Sequence, residues 1–304
     1  MTGSVESYMR RCTLCPRNCG ADRMAGRMGY CGAPARITAA RAALHMWEEP
    51  CISGEKGSGA VFFSGCSLGC VYCQNYRISG GSLGKEISEE QLCEIFLRLQ
   101  DEDGAANINL VTAGHYVPQI CLALERARSR GLSIPVVYNS SGYEKPQTLQ
   151  MLDGLVDIYL PDFKYMDGGL AKAFSKAPDY PERAMEALAC MVRQAPVCRF
   201  DADGYMTAGV IVRHLILPGH VKNSKAVLSY LYETYGDSIY ISIMNQYTPV
   251  ADFPDHPELN RKVTEREYER VLDYALSIGI ENAFIQEGDT ASESFIPPFD
   301  CQGV

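Results

Sequence analysis

Ala60-Val-Phe-Phe-Ser-Gly-Cys66-Ser-Leu-Gly-Cys70-Val-Tyr72-Cys73-Gln-Asn-Tyr76 joins an apolar run to a loop that carries three thiols. The apolar run predicts a buried strand. Three residues separate Cys66 from Cys70 and two separate Cys70 from Cys73, so a short loop can direct all three sulfurs to one point and bind a 4Fe-4S cluster by three of its irons. The fourth iron then has no protein ligand and can take a substrate or cofactor, as in open catalytic metal sites.

The cysteine spacing, the aromatic Tyr72 just before Cys73 and the upstream strand together resemble the radical S-adenosylmethionine (radical SAM) superfamily. In that family the amino and carboxylate groups of SAM chelate the open iron. An electron from the reduced cluster cleaves SAM to methionine and a 5′-deoxyadenosyl radical, which takes a hydrogen atom from the substrate. The resemblance implies that Cys66, Cys70 and Cys73 hold the catalytic cluster and that Tyr72 contributes to SAM binding. The alternative is a zinc knuckle or a set of structural thiols, although a zinc knuckle normally has a fourth ligand close by.

The composition is that of an ordinary globular protein. The chain has 304 residues, 46% hydrophobic and 21% charged, which is enough for one large core. Its formal net charge of -9 argues against a nucleic-acid partner. It contains no apolar run of about 18 residues and no signal-peptide core, so we expect a cytoplasmic protein with no membrane partner. In that reducing compartment the thirteen cysteines are expected to be metal ligands or buried thiols rather than disulfides.

A second cysteine group lies near the N-terminus and consists of Cys12, Cys15, Cys19 and Cys31. Gly and Pro residues separate these cysteines and apolar periodicity is weak, so the segment is expected to be metal-bound and to lack a core of its own. Four thiolates would hold either tetrahedral zinc or a second 4Fe-4S cluster, and the spacing does not distinguish the two. A metal-free thiol set is the third alternative.

From residue 60 onward, short apolar runs alternate with amphipathic segments, about six times in all. This alternation predicts βα units and a parallel sheet. Ser88, with Gln91 three residues later, has the pattern of a helix capping box. After the first strand, further strands are predicted within 107–114, 134–142, 156–164, 210–219 and 239–247, and helices within 88–100, 117–130, 144–152, 168–176, 180–195, 224–235 and 264–278.

The predicted fold is therefore α/β, a partial (β/α)6 barrel of the open TIM-like type, which is also the fold that the radical SAM resemblance implies. Residues 1–52 are expected to form the cysteine-rich, metal-binding N-terminal segment, in which 35–52 connect to the first barrel strand. Residues 53–304 are expected to form the barrel with a C-terminal closing segment. Active sites of such barrels lie at the carboxyl ends of the strands, so polar residues there are the candidate site residues.

At the end of the second predicted strand, Thr112-Ala-Gly114-His115 occupies the place of a Gly-Gly-Glu-like turn that contacts the SAM amino group in the family. This chain lacks the glutamate. Thr112 and backbone carbonyls are expected to supply the acceptors, because an ammonium needs oxygen lone pairs rather than specifically a carboxylate. His115 is interpreted either as a proton donor or substrate contact, or as a packing residue at the start of a helix.

The ends of the third and fourth predicted strands also resemble the pyruvate formate-lyase activating enzyme group. There the places of Asn139, Ser140, Asp162 and Lys164 surround the SAM ribose and sulfonium, and the aspartate can bind a monovalent cation. Alternation along a strand puts Lys164 on the same face as Asp162. Lys164 can then reach the SAM carboxylate while Asp162 balances its charge.

Arg213 on the fifth predicted strand is the preferred contact for the SAM carboxylate, because a guanidinium can bind a carboxylate bidentately. His214 should point to the opposite face of that strand. Candidate substrate contacts are His220, Asn245, Gln246 and Tyr247, and Glu287 is expected to border the open side.

The order of these motifs through residues 12–300 is similar to that of uncharacterised radical SAM proteins related to pyruvate formate-lyase activating enzymes. The resemblance implies an anaerobic radical SAM oxidoreductase but does not establish a glycyl-radical substrate. A protein or peptide, including a glycyl-radical enzyme, is the preferred substrate because an open barrel side would suit a peptide. The resemblance also implies a reducing partner such as flavodoxin or ferredoxin. The alternatives are a small-molecule substrate, or a non-catalytic iron–sulfur or zinc protein that carries electrons or acts as a scaffold.

Overall fold

The computed structural model describes residues 4–286 and 296–304, so Glu287 lies outside the described residues. Within them, ten strands belong to one large sheet. Their bounds are β1 Ile37–His45, β2 Ser58–Phe63, β3 Lys85–Ile87, β4 Ile108–Val111, β5 Val136–Ser140, β6 Ile158–Pro161, β7 Arg199–Phe200, β8 Met206–Leu215, β9 Tyr240–Met244 and β10 Ala283–Ile285.

The centre of the sheet is parallel. Its neighbouring strands run in the order β2, β4, β5, β6, β8, β9, β10. All six predicted strands are in this series, and β10 adds one more at the edge. β1 pairs antiparallel with β2, β3 pairs with β1, and β7 pairs with β8. The predicted α/β class with a large open sheet is therefore confirmed.

The helices connect the parallel strands. Ser88 caps α4 and forms the predicted capping box with Gln91. The helix expected within 144–152 is a single short α-helix followed by a 3₁₀ turn. Among the described residues no helix is both long and apolar enough to cross a membrane. The bounds are α1 Val5–Arg10, α2 Pro50–Ser53, α3 Tyr76–Ser79, α4 Glu89–Asp101, α5 Val117–Ser129, α6 Pro146–Leu149, α7 Gly168–Ser175, α8 Tyr180–Gln194, α9 Val221–Tyr235 and α10 Glu265–Ser277.

Residues 35–52, expected to be a connection, instead contain the nine-residue strand β1. Its sequence, ITAARAALH, is rich in alanine, which is depleted in strands. Residue propensities therefore do not predict this strand. Pairing decides its structure. Besides β2 and β3, β1 contacts the C-terminal tail, since the Cys301 N–H donates to the Ala40 carbonyl and the Ala42 N–H donates to the Gln302 carbonyl, both at 2.9 Å.

β2 positions the cysteine loop. It is buried along its whole length, as expected for a parallel strand covered on both faces, and it ends three residues before Cys66. The N-terminal segment packs through α1 and a small apolar cluster of Met9, Cys12 and Leu14. Residues 37–45 form a strand of the same sheet as β2, and the division of the chain at residue 52 stays a prediction.

Candidate active site

A cavity of about 640 Å³ lies at the carboxyl ends of the parallel strands. Residues at or just after the end of each strand line it: Gly65, Thr112, Ser140, Asp162, Leu215, Met244 and Gln286. Residues 45–50, between β1 and α2, form another wall. Every residue predicted to hold the cluster or SAM also lines this cavity, namely Cys66, Cys70, Cys73, Tyr72, Thr112, Asn139, Ser140, Asp162, Lys164 and Arg213.

The three thiols of the cysteine loop are half-buried. The loop is shaped by its own backbone: the Cys73 N–H donates to the Cys70 carbonyl at 3.2 Å, and the Leu68 N–H donates to the Cys66 sulfur at 3.5 Å. Gly65, with φ of +100°, begins the loop, and a Cβ there would lie 2.7 Å from the Cys31 carbonyl oxygen. A glycine at this position therefore lets the N-terminal segment approach the loop closely.

Burial raises the pKa of Cys66 to about 11 and that of Cys73 to about 12, and the neighbouring thiols add to both increases. Burial also raises the pKa of Cys70, while Lys164 opposes the increase. Each thiol thus interacts electrostatically with the others. Ligation of a metal centre here would release protons, because only the thiolate form binds metal.

Asp162 and Lys164 form the predicted pair, with Nζ 2.6 Å from Oδ2. Burial alone would lower the pKa of Lys164, but the Asp162 carboxylate and Cys70 keep it well above its usual value. Lys164 therefore remains a cation at the cavity wall beside the cysteine loop. A cation in this place suits an anionic ligand group such as a carboxylate.

Arg213 lines the cavity, but its guanidinium already binds two carboxylates of the protein. Nε donates to Glu49 Oε1 at 2.8 Å, Nη2 donates to Glu49 Oε2 at 2.6 Å, and Nη2 also donates to Glu48. Asn109 donates to the other oxygen of Glu48 at 2.8 Å. Burial would raise the pKa of Glu49, but Arg213 holds it below the usual value. No local pattern in the sequence indicates these two glutamates as partners of Arg213.

Thr112, directly after β4, adopts a left-handed conformation with φ of +59°. This conformation is rare for a β-branched residue and persists only where the surroundings impose it. Here the Thr112 N–H donates to the Asn139 carbonyl at 2.9 Å, which ties the ends of β4 and β5 together. Backbone strain of this kind is common in binding and active sites.

The two histidines near the strand ends are structural. His115 donates from Nε2 to the Ser64 carbonyl at 2.7 Å, and burial lowers its pKa to about 3. His214 donates from Nδ1 to the Phe163 carbonyl at 2.8 Å, and burial lowers its pKa to about 4. Both are neutral and buried. The packing interpretation of His115 thus agrees with the structure, and His214 lies away from the cavity that Arg213 lines.

The N-terminal cysteines lie within electrostatic reach of one another. Burial raises the pKa of Cys12, with contributions from Cys19 and Cys31, and raises the pKa of Cys15 to about 12, with contributions from Glu144, Cys31 and Cys12. Among residues 4–286 and 296–304, no three His, Cys, Asp or Glu side chains are arranged to hold a single metal ion. The metal-binding assignment of these four cysteines stays a prediction.

Arg23 is a buried cation beside these cysteines, only 3% exposed. Its guanidinium donates to the His115 carbonyl at 2.7 Å and to the Cys31 sulfur at 3.8 Å, and it lowers the pKa of Cys12. In the part of the chain that the structure describes, no carboxylate forms an ion pair with it. A buried charge is costly unless it is paired, and Arg23 opposes the rise that burial causes in the pKa of Cys12.

Arg17, which lies between Cys15 and Cys19, connects the N-terminal segment to the cysteine loop. Its guanidinium donates to the Ser67 carbonyl at 2.8 Å and the Leu68 carbonyl at 3.1 Å. It also reaches the end of α7, where the carbonyls of Ser175 and Lys176 accept at 3.2 and 2.6 Å. The Tyr30 hydroxyl adds a bond to the Leu68 carbonyl at 2.7 Å, with the Arg17 guanidinium 4.0 Å from the Tyr30 ring centroid.

Several residues in or near the site are not indicated by any local sequence pattern. Glu144 is buried beside Gly114 and Tyr138, and burial raises its pKa to about 8. Glu48 and Glu49 form an acidic pair directly before Pro50, but nothing in the sequence indicates that Arg213 is their partner. Arg17 carried no signal, because its acceptors are backbone carbonyls of distant segments.

Comparison with known proteins supports the fold. No protein-family model matches the chain. An uncharacterised protein of Methanocaldococcus jannaschii is 26% identical over 278 residues, covering 89% of this chain and 76% of that protein. Streptococcus suis SuiB bound to the precursor peptide SuiA matches with a TM-score of 0.50 and 13% identity over 73% of this chain, but the match spans only 46% of SuiB. A domain of pyruvate-formate lyase-activating enzyme from Bacteroides vulgatus matches with a TM-score of 0.41 and 15% identity, over 57% of this chain and 92% of that domain.

The likeness to SuiB supports the open-sheet α/β fold of this chain.

Replacing Arg17 by Ala should loosen the cysteine loop. Hydrogen bonds to charged groups contribute about 1.5–3 kcal/mol each, and about 1.4 kcal/mol corresponds to a tenfold change in an equilibrium. We therefore expect amide hydrogen exchange in residues 66–70 to be at least about tenfold faster in Arg17→Ala. The exchange rates in Arg17→Lys should lie between those of the wild type and of Arg17→Ala, because a lysine ammonium lacks the planar set of donors of a guanidinium.

The control is Arg10→Ala, which removes only an exposed ion pair with Glu6. Equal exchange rates in Arg17→Ala and Arg10→Ala would contradict the proposed role of Arg17.

Proposed function

We propose that the protein is a radical SAM enzyme whose Cys66, Cys70 and Cys73 hold a catalytic 4Fe-4S cluster. The observation that carries the proposal is the position of these thiols, which follow β2 directly and line one cavity with all the predicted SAM-binding residues. When bound, the cluster supplies the electron that cleaves SAM, and the resulting radical takes hydrogen from the substrate.

The three thiols suit such a cluster, because cysteine thiolates are the ordinary ligands of iron–sulfur clusters. Lys164 would hold the SAM carboxylate, since it stays cationic beside the cysteine loop. Thr112, Asn139 and Ser140 would offer oxygen acceptors to the SAM amino and ribose groups. Arg213 would contact SAM only while it remains paired with Glu48 and Glu49.

A protein or peptide is the proposed substrate, including a glycyl-radical enzyme. The cavity is bordered by exposed apolar side chains, with Met46, Trp47 and Ile285 at 42%, 58% and 45% exposure. The cavity therefore opens to solvent beside these side chains, where an extended peptide segment can approach. SuiB, which has a similar fold, has been solved with a precursor peptide. A small-molecule substrate is the alternative.

We propose a second metal centre at Cys12, Cys15, Cys19 and Cys31. The buried Arg23 supports this centre. Arg23 has no carboxylate partner among the described residues, and a four-thiolate centre would supply the negative charge that balances it. Four thiolates suit either an iron–sulfur cluster or tetrahedral zinc.

The catalytic assignment predicts SAM cleavage. After anaerobic reconstitution with iron and sulfide, dithionite and SAM should yield 5′-deoxyadenosine and methionine, detected by chromatography and mass spectrometry. Cys66→Ala, Cys70→Ala and Cys73→Ala should each abolish the product, whereas Cys198→Ala, a half-buried thiol outside the cavity, should retain it. An intact cluster that produces no 5′-deoxyadenosine would leave the electron-carrier or scaffold alternative.

The second centre predicts residual metal. A variant with Cys66, Cys70 and Cys73 all replaced by Ala should still bind one metal centre per chain, and elemental analysis should identify it as iron or zinc. Adding Cys12→Ala and Cys15→Ala should remove it. If the triple variant contains no iron and no zinc, the second centre is excluded.

The substrate class can be tested by isotope transfer. Extract of cells grown in deuterated medium is separated into a protein and peptide fraction and a small-molecule fraction, and each is incubated with enzyme, dithionite and unlabelled SAM. We expect deuterium in 5′-deoxyadenosine from the protein and peptide fraction, because the radical takes its hydrogen from the substrate. Deuterium transfer from the small-molecule fraction alone would favour the alternative substrate.

A further inference from the structure

A buried chain of hydroxyl groups ends on one of the three loop cysteines. Ser175 Oγ lies 2.9 Å from the Cys70 sulfur, Tyr165 Oη lies 2.8 Å from Ser175 Oγ, and Tyr72 Oη lies 2.5 Å from Tyr165 Oη. Ser175 and Tyr165 are fully buried, and Tyr72 is 5% exposed. These hydrogen bonds therefore form in a place where bulk water does not compete for them.

Ligation would fix the direction of every hydrogen bond in this chain. A metal-bound cysteine is a thiolate and has no proton to donate. Ser175 must then donate to Cys70, Tyr165 must donate to Ser175, and Tyr72 must donate to Tyr165. Each hydroxyl has one proton and can accept through its lone pairs, so all three positions are satisfied at once.

Cys70 differs in this respect from the other two cysteines of the loop. Within the described part of the chain, it is the one with a side-chain hydroxyl at its sulfur, while Cys66 accepts from the backbone N–H of Leu68. Hydrogen bonds to cluster sulfurs are one of the means by which a protein sets a cluster's reduction potential. The reduced cluster carries more negative charge on its sulfurs, so a donated hydrogen bond stabilises it more than the oxidised form.

We propose that Ser175 is a positioning residue that raises the reduction potential of the cluster at Cys66, Cys70 and Cys73 by donating a hydrogen bond to Cys70. Tyr165 acts through Ser175, because accepting the Tyr165 proton leaves the serine proton directed at the sulfur. This inference rests on the proposed function. It adds a residue far along the chain, at the end of α7, to the determinants of the reduction step.

The test is a redox titration of the reconstituted protein, followed by electron paramagnetic resonance. In Ser175→Ala we expect a more negative midpoint potential, with about a tenfold change in the one-electron equilibrium constant, or about 59 mV. Tyr165→Phe keeps the serine but removes its orienting donor, so we expect a smaller shift in the same direction. The control is Ser224→Ala on α9, which removes a buried hydroxyl that has no hydrogen-bond partner among the described residues.

A second measurement does not depend on the potential. In D2O the exchangeable Ser175 proton becomes a deuteron near the cluster, and its hyperfine coupling should be present in the wild type and in Ser224→Ala but absent in Ser175→Ala. If Ser175→Ala does not fold, Tyr165→Phe decides the question. An unchanged potential in the folded variants, or an unchanged deuteron coupling in Ser175→Ala, would overturn the inference while a cluster remains bound. A wild-type protein that binds no cluster at these cysteines would instead overturn the proposed function.

Discussion

The hydrogen bonds of one guanidinium, that of Arg17, fix the relative positions of the N-terminal segment, the cysteine loop and the end of α7. Its acceptors are backbone carbonyls of Ser67, Leu68, Ser175 and Lys176. A planar group with five donors can hold several acceptors in one geometry, which a flexible ammonium cannot do. Because Ser175 touches Cys70 through its hydroxyl, the same arginine that holds the loop also holds the serine that contacts its thiol.

Three cations, of which Arg23 is buried and Lys164 and Arg213 are partly buried, show how charge is organised around the two cysteine groups. Lys164 is paired with Asp162, and Arg213 is paired with Glu48 and Glu49. Arg23 has carbonyl and sulfur acceptors but no carboxylate within the described residues. Since an unpaired buried charge is costly, the fold is consistent with a negative centre at the N-terminal cysteines. Such a centre would also stabilise a segment whose apolar cluster is small.

The sequence predicted the features that depend on local pattern. Cysteine spacing indicated the loop after β2, apolar periodicity indicated the parallel strands, and Ser88 with Gln91 indicated the start of α4. It missed β1, because the alanine-rich residues 37–45 are strand only through pairing with β2 and the C-terminal tail. It found Arg213 but not its partners, since Glu49 lies 164 residues away and no local rule pairs them. Arg17 and Ser175 were missed for the same reason: their contacts form only when distant segments meet.

The charges of the cavity restrict what can bind in it. Among its described lining residues, Lys164 is balanced by Asp162, while the single guanidinium of Arg213 faces two carboxylates, so carboxylates exceed cations by one. This excess lies on the wall formed by residues 45–50, next to the exposed apolar side chains of Met46 and Trp47. The electrostatic energy there is unfavourable for an anionic group and favourable for a neutral or cationic one. Near Lys164, beside the cysteines, the Asp162 carboxylate balances the cation, so this part of the cavity lacks the excess of negative charge found at residues 45–50. The two parts of the cavity therefore differ in charge, and a ligand with one cationic end and one anionic end is favoured in a single orientation.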